Sequence, residues 1–347
     1  VPSEFIVQRP NVANPPSLFY YFDLVVQDQE FVESHSDVMR AVYVRLEKWY
    51  QWLMRTQSGP LQGTFRWRGR NSTTDLELNP KTLPSGLDDY PRATHPSNEE
   101  YHLDLRCWMA LASGVLAKLA EKFKDEKTAA RLKEQHKRLS DYDDLKRLHW
   151  SEHGRTFADF GLHSKDVLLT TTTNPKTGEQ TVRRAVRRPP TLGFVDNTFG
   201  YASLFPLFMK LIPADAPELG VLLERLADPG ELWTAQGLRS LSLKSPYHGA
   251  RNTAHDPPYW RGNIWINANC LALSGLKHYA TTSGPHKERA RDLYDRLKRS
   301  LVEGVSNEFA RTNYIWEHYD ERTGRGAGSH PFTGWSALVT AVVADLL

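Results

Sequence analysis

Apolar residues recur at helical spacing along most of this 347-residue chain, and this periodicity limits its fold more than any other feature. In segment 29–55 the apolar residues from Phe31 to Leu53 follow at steps of three, four and seven, which places them on one helical face. Connections containing Gly and Pro are too long for a four-helix bundle. The sequence therefore predicts an all-α domain, a toroid of helical hairpins with its loops gathered at one end of a central cavity. Further helices are predicted at 97–123, 127–148, 199–211, 216–226, 260–279, 286–309 and 333–347.

One stretch departs from the helical pattern. It reads DVLLTTTTNPKTGEQTVRRAVRR, with β-branched runs on both sides of a turn at 174–178. Such runs around a Gly-containing turn predict a β-hairpin carried on the helical framework. Its four arginines are expected to form a solvated face rather than a binding patch: Arg183, Arg184, Arg187 and Arg188.

Composition narrows the classes of protein that the chain can represent. The net charge is only +3, with acids and bases interspersed, so a surface for nucleic acid is not indicated. No apolar run approaches the roughly 20 residues that span a bilayer, so no membrane contact by this segment is expected. The histidines lack zinc-site spacing, and no metal or other cofactor is predicted. Cys107 and Cys270 are expected to be buried thiols, and Asn71 begins a sequon that is used only in a secretory compartment.

Aromatic residues lie beside glycine, proline or charge in FRWRGR, PYWRGNIWIN, YIWEHYDERTGRG and PFTGWSAL. Flat apolar faces next to hydrogen-bonding groups suit sugar rings. Aromatic side chains in loops also pack against protein cores, so both interpretations stay open.

Two acidic residues occupy positions that suit catalysis. Asp88 follows the turn at Gly86 within a proline-bracketed loop, and Glu317 lies among aromatic residues. Two carboxylates across a cavity can hydrolyse a glycosidic bond, one protonating the leaving oxygen and the other acting as nucleophile or as base for a water. The alternative is that Asp88 caps a turn and Glu317 pairs with an arginine.

A family resemblance adds to this interpretation. The segments SGLDDYPR, EYHLDLRCW, WRGNIWIN and WEHYDERTGRG, followed by HPFTGW, occur in this order. They resemble the catalytic domain of the processing α-glucosidases I, the mannosyl-oligosaccharide glucosidases of glycoside hydrolase family 63. The resemblance covers essentially the whole chain, 1–347, as one catalytic domain of a longer protein.

The resemblance implies an (α/α)6 toroid, here without its first helices, and an inverting exo-α-glucosidase. The implied substrate is the triglucosylated N-glycan precursor in the endoplasmic reticulum lumen, from which the terminal α-1,2-linked glucose is removed. Matched sequence begins partway into the family's catalytic domain. The remainder of the enzyme, as another polypeptide or a cleaved upstream segment, is therefore an expected partner, and the membrane anchor is expected to lie in a part absent here.

Carried over residue by residue, Asp88 falls at the family's general acid and Glu317 at its general base. Glu100 and Asp104 match acids of the family and are expected to support or contact substrate. Asp104 is a weaker candidate acid, and Glu100 could instead complete a capping box with Ser97. The expected substrate-contacting residues are Trp67, Arg68, Arg70, Gly86, Asp89, Glu100, Asp104, Tyr259 and Trp260.

Three alternatives stay open. Arg68 and Arg70 could pair with the nearby acids rather than contact glycan. The chain could be a related inverting toroid glycosidase such as a trehalase. It could also be a non-catalytic carbohydrate-binding fragment or a helical scaffold, neither of which needs both Asp88 and Glu317.

Overall fold

The computed structural model describes residues 9–70 and 74–346, so the sequon at Asn71 lies outside the described residues. Three helices open the described chain: α1 Leu18–Val25, α2 Gln29–Ser34 and α3 Ser36–Thr56. The predicted helix 29–55 is thus divided near His35. The predicted apolar face is only partly buried, since Leu46 and Leu53 are in the core whereas Val38 is exposed.

The most deeply buried helix is α4, Leu103–Lys122, which packs against α5, Glu126–Leu139, as an antiparallel hairpin. The helix predicted at 127–148 is in fact two helices, because the Asp141 carboxylate accepts the Asp144 backbone N–H at 2.8 Å and caps α6, Tyr142–His149. The helix predicted from residue 97 begins only at Leu103, since Tyr101 pairs in an extended conformation with Phe160.

The second half contains a second long hairpin. Helix α9, Ile266–Thr281, packs against α10, Lys287–Thr312. Residues 260–265, predicted as the start of a helix, form the loop that precedes α9. The shorter elements are the 3₁₀ turn Tyr201–Leu204, α7 Phe205–Phe208, α8 Pro217–Leu226, the 3₁₀ turn Trp335–Leu338 and α11 Val339–Val343.

Short antiparallel strand pairs accompany the helices. The predicted hairpin is confirmed, with register from Val167↔Val186 to Thr173↔Gln180. Three of its four arginines are exposed as expected, namely Arg183, Arg187 and Arg188, and Arg183 forms an exposed ion pair with Asp75. Arg184 differs, because it is half-buried and donates to the Thr94 carbonyl at 2.6 Å. The pairs are β1 Trp150–Ser151 with β2 Thr156–Phe157, β3 Phe160–His163 with β6 Thr191–Phe194, β4 Val167–Thr173 with β5 Gln180–Val186, and β7 His318–Tyr319 with β8 Gly326–Ala327.

The architecture confirms the mostly helical class predicted from the sequence. Cys107 lies in α4 and Cys270 in α9, and both are buried free thiols, as expected. No helix among residues 9–70 and 74–346 combines the length and apolarity that crossing a membrane requires.

Candidate active site

Three loops that are distant in sequence meet at one place. The Asn252 carbonyl accepts the Leu78 backbone N–H at 2.6 Å, and its side-chain oxygen accepts that of Asn79 at 3.0 Å. On the other side, Ile264 and Tyr319 exchange two backbone hydrogen bonds of 2.8 and 3.0 Å. The loop 250–265, called the bridging loop below, therefore joins the Asp88 loop to the Glu317 segment.

Asp88 is held by a tightly closed turn. The 3₁₀ turn Leu83–Ser85 ends at Gly86, whose φ of 71° lies in the left-handed region that favours glycine. The Asp88 carbonyl then accepts the Thr82 backbone N–H at 2.8 Å. Gly86 thus shapes the turn, and the backbone on both sides of the half-buried Asp88 carboxyl is fixed.

The surroundings of Asp88 favour its protonated form. Burial raises the pKa of Asp88 to about 6, with further contributions from the negative charges of Asp89 and Glu317, whereas Lys81 acts in the opposite direction. Desolvation and like charges both disfavour a carboxylate. A carboxyl with this pKa can donate a proton near neutral pH, which is the property of a general acid.

Glu317 has different surroundings. The Tyr259 hydroxyl donates to Oε1, and the Ser329 backbone N–H donates to Oε2 at 3.0 Å. The Glu317 carbonyl accepts Trp335 Nε1–H at 2.8 Å and the Ser336 hydroxyl at 3.1 Å, which fixes the backbone. Donors are therefore directed at both carboxylate oxygens, and they fix the orientation of this side chain.

Asp89 contacts the bridging loop rather than open space. It is buried, and its carboxylate accepts the backbone N–H groups of Tyr259 at 3.1 Å and Trp260 at 2.6 Å. Arg261 Nε–H donates to the Asp89 carbonyl at 2.8 Å. These contacts use the Asp89 carboxylate inside the protein, so the expected substrate contact is replaced by a structural one.

The two aromatic residues expected to face sugar differ. Tyr259 is half-buried and reaches Glu317. Trp260 is only 2% exposed and stacks on Trp265 with ring centroids 3.8 Å apart, so it belongs to the core and the expected sugar contact is corrected. Sequence reasoning gave Trp265 no role, although it lies in the same WRGNIWIN segment.

Asp104 and Trp67 belong to a buried polar cluster. Trp67 is 1% exposed, and its Nε1–H donates to Asp104 Oδ1 at 3.0 Å. Arg92 pairs with Asp104 at 2.5 Å and with Asp159 at 2.8 Å. Trp67 therefore does not present a surface to glycan, and Asp104 is a support rather than a candidate acid. Nothing in the local sequence indicated that Arg92 and Asp159 would complete this cluster.

The remaining candidates also have internal partners. Arg70 pairs with Glu100 at 2.5 Å, and both side chains are buried. The predicted alternative of an acid partner is therefore correct for Arg70, and Glu100 forms no capping box. Arg68 instead donates to the Thr56 carbonyl at 2.9 Å and the Ser58 carbonyl at 2.7 Å, where α3 ends. All three side chains therefore have partners within the protein.

A helical domain whose loops bring two carboxyl groups together is the arrangement of toroidal glycoside hydrolases. This chain belongs to glycosyl hydrolase family 63, because the model of that family's C-terminal domain matches residues 1–345. It is 40% identical to the mannosyl-oligosaccharide glucosidase GCS1 of Arabidopsis thaliana over 99% of this chain and 42% of that protein. It is 27% identical to the mannosyl-oligosaccharide glucosidase of Saccharomyces cerevisiae, over 99% and 43% respectively.

The chain thus spans less than half the length of these curated relatives. Among solved structures, the family 63 mannosylglycerate hydrolase from Thermus thermophilus, in complex with glucose, superposes with a TM-score of 0.65. The alignment covers 97% of this chain and 76% of that one at 16% identity, and it supports the toroidal fold. Within the described ranges, no group of His, Cys, Asp and Glu side chains is arranged to hold a metal ion.

Proposed function

We propose that this chain carries the catalytic site of an inverting exo-α-glucosidase. In this proposal, it removes the terminal α-1,2-linked glucose from the triglucosylated N-glycan precursor. The observation that carries the proposal is the combination of two different carboxyl groups. The pKa of Asp88 is raised to about 6, and both carboxylate oxygens of Glu317 accept hydrogen bonds. The mannosyl-oligosaccharide glucosidases among the relatives support the substrate class.

The two carboxyl groups divide the reaction. Asp88 donates its proton to the glycosidic oxygen as the bond to the anomeric carbon breaks. Glu317 removes a proton from a water that attacks the same carbon from the opposite face. This geometry needs room for the water, so we expect the carboxyl groups to lie about 6.5–9.5 Å apart when substrate is bound. The product is β-glucose from an α-linked substrate.

The same relatives support a proposed setting for the enzyme. The substrate is a glycan of the endoplasmic reticulum lumen, so the chain is proposed to work there. We propose that the rest of the same enzyme is its partner, because the relatives are more than twice as long as the stretch that this chain matches.

The test uses the full-length protein and glycans that bear one, two or three glucoses. We expect glucose release only from the triglucosylated glycan, with the β-anomer detected first by NMR. Asp88→Asn and Glu317→Gln should each fold and lose about 10²–10⁴-fold in rate. Initial α-glucose would contradict inversion, and near-normal turnover in either variant would remove that residue from the mechanism. Hydrolysis of trehalose alone would favour the trehalase alternative.

A further inference from the structure

We propose that Asp89 and Tyr259 act as a positioning pair that fixes Glu317 relative to Asp88. This inference rests on the proposed function and adds two residues whose roles lie in orientation, not in contact with the bond that breaks. The chain of contacts runs from Asp88 to its neighbour Asp89, from Asp89 to the backbone of Tyr259, and from the Tyr259 hydroxyl to Glu317.

The contacts between Asp89 and the backbone of Tyr259 are closely constrained. The Asp89 carboxylate uses one oxygen for the Tyr259 N–H, at 3.1 Å, and the other for the Trp260 N–H, at 2.6 Å. Arg261 also holds Asp89 in place, because its Nε–H donates to the Asp89 carbonyl. Its Nη2–H donates to Asn252 Oδ1 at 2.6 Å. A buried carboxylate held on two successive amides leaves the Tyr259 backbone little freedom to move relative to the Asp88 loop.

The contact between Tyr259 and Glu317 is equally constrained. The Tyr259 ring packs edge-on against Trp265, with centroids 4.6 Å apart, and against His318, with centroids 5.3 Å apart. Burial, followed by the hydrogen bond to Glu317, raises the pKa of Tyr259, so the hydroxyl keeps its proton and remains a donor. The Glu317 carboxylate is therefore held on Oε1 by a side chain whose own position Asp89 determines.

The negative charge of Asp89 also affects the pKa of Asp88. Asp88 is faced by Asp89 and Glu317, which raise its pKa, and by Lys81, which lowers it. Lys81 is itself paired with Asp256 at 2.6 Å. Glu317 is faced by Asp88, by the Tyr259 hydroxyl and by His318. Asp89 thus contributes to both groups, orienting the base through Tyr259 and keeping the acid protonated through its own charge.

The experiment measures kcat, KM and the pH dependence of kcat/KM for Tyr259→Phe and Asp89→Asn in the full-length protein. For Tyr259→Phe we expect kcat to fall on the order of 10–100-fold with little change in KM, since misplacing a catalytic group is costly. For Asp89→Asn the alkaline limb should move to lower pH, because Asp88 loses a neighbouring negative charge.

Tyr142→Phe is the matched control. It removes a tyrosine hydroxyl that donates to Glu218 Oε2 at 2.7 Å, outside the contacts described for the site, and should leave kcat and the pH profile unchanged. The double variant Asp89→Asn/Tyr259→Phe should lose little more in kcat than the poorer single variant, since the two residues act in series. Circular dichroism of each variant checks that it folds.

An unchanged kcat in Tyr259→Phe would overturn the positioning role. A rise in KM alone would also overturn it, because it would mark Tyr259 as a substrate contact. Independent, multiplicative losses in the double variant would also contradict it. Each of these results leaves the proposed function standing if Asp88→Asn and Glu317→Gln are inactive. Activity in those two variants would instead contradict the proposed function itself.

Discussion

Replacing Asp88 by asparagine should stabilise the protein while it abolishes the proposed chemistry. In the folded state the pKa of Asp88 rises from 3.8 to about 6, first through burial and then through Asp89. One pKa unit corresponds to about 1.4 kcal/mol, so ionising this side chain in the folded protein costs up to about 3 kcal/mol. Asparagine has nearly the same shape and avoids that cost.

The sign of this effect depends on pH. Below about pH 3.8 the carboxyl is protonated in both the folded and the unfolded state, so the variant gains nothing. As pH rises, the unfolded state releases its proton first, and the contribution of protonated Asp88 to stability is lost as pH passes about 6. The advantage of Asp88→Asn should therefore grow between pH 4 and 6 and reach its full size by pH 7–8.

Urea denaturation at pH 4, 5, 6, 7 and 8 measures the free energy of unfolding for the variant and the wild type. Asp196→Asn is the control of opposite sign, because hydrogen bonds from Ser151 and Lys165 outweigh burial there and lower the pKa of Asp196. That variant should lose stability at neutral pH, and the loss should shrink on acidification. If Asp88→Asn is no more stable than the wild type at pH 7–8, or equally advantaged at pH 4, the argument from burial is wrong.

Further predictions follow from the same contacts. Trp260→Ala should destabilise the protein by about 3–5 kcal/mol, because it removes a buried ring that stacks on Trp265. Thermal unfolding checks this, with a variant of the half-buried Trp52, Trp52→Ala, as comparison. A change in KM without loss of stability would contradict it. Arg92→Leu should cost roughly 3–5 kcal/mol or more by leaving Asp104 and Asp159 buried without their cation, as the urea midpoint will show. The wild-type kcat/KM should decline above about pH 6, where Asp88 loses its proton; a profile flat to pH 8 would exclude Asp88 as the acid.

Periodicity was sufficient to predict most helices, because an apolar stripe at helical spacing has few other uses. It failed at the ends of helices, where contacts distant in sequence decide the conformation. The local pattern predicts a helix at residue 101, yet Tyr101 pairs with Phe160 in the strand Phe160–His163. That partner is distant in sequence and cannot be seen from the local pattern. The break at Asp141 differs, since a capping aspartate is visible in the sequence.

The candidate site shows the same division. The loop motifs identified Asp88 and Glu317 as the interesting acids. They did not distinguish the half-buried Tyr259 from the buried Trp260, because the two residues are adjacent and share every local feature. Their difference arises from Asp89 and Trp265, which fix the backbone and cover one ring. Such information exists only once the three loops have met.

The hairpin of β4 and β5 has a practical consequence for engineering. Arg183 pairs with Asp75 and Arg184 donates to the Thr94 carbonyl, so these residues connect the hairpin to the rest of the protein. Residues 171–180 at its tip are exposed throughout. A side chain added at Gly178 would meet no other atom within 4 Å, although its φ of 72° makes neighbouring positions better choices for substitution. Exposed loop tips tolerate insertion well. A fluorophore or affinity peptide placed at Lys176 would therefore label the domain at an exposed position.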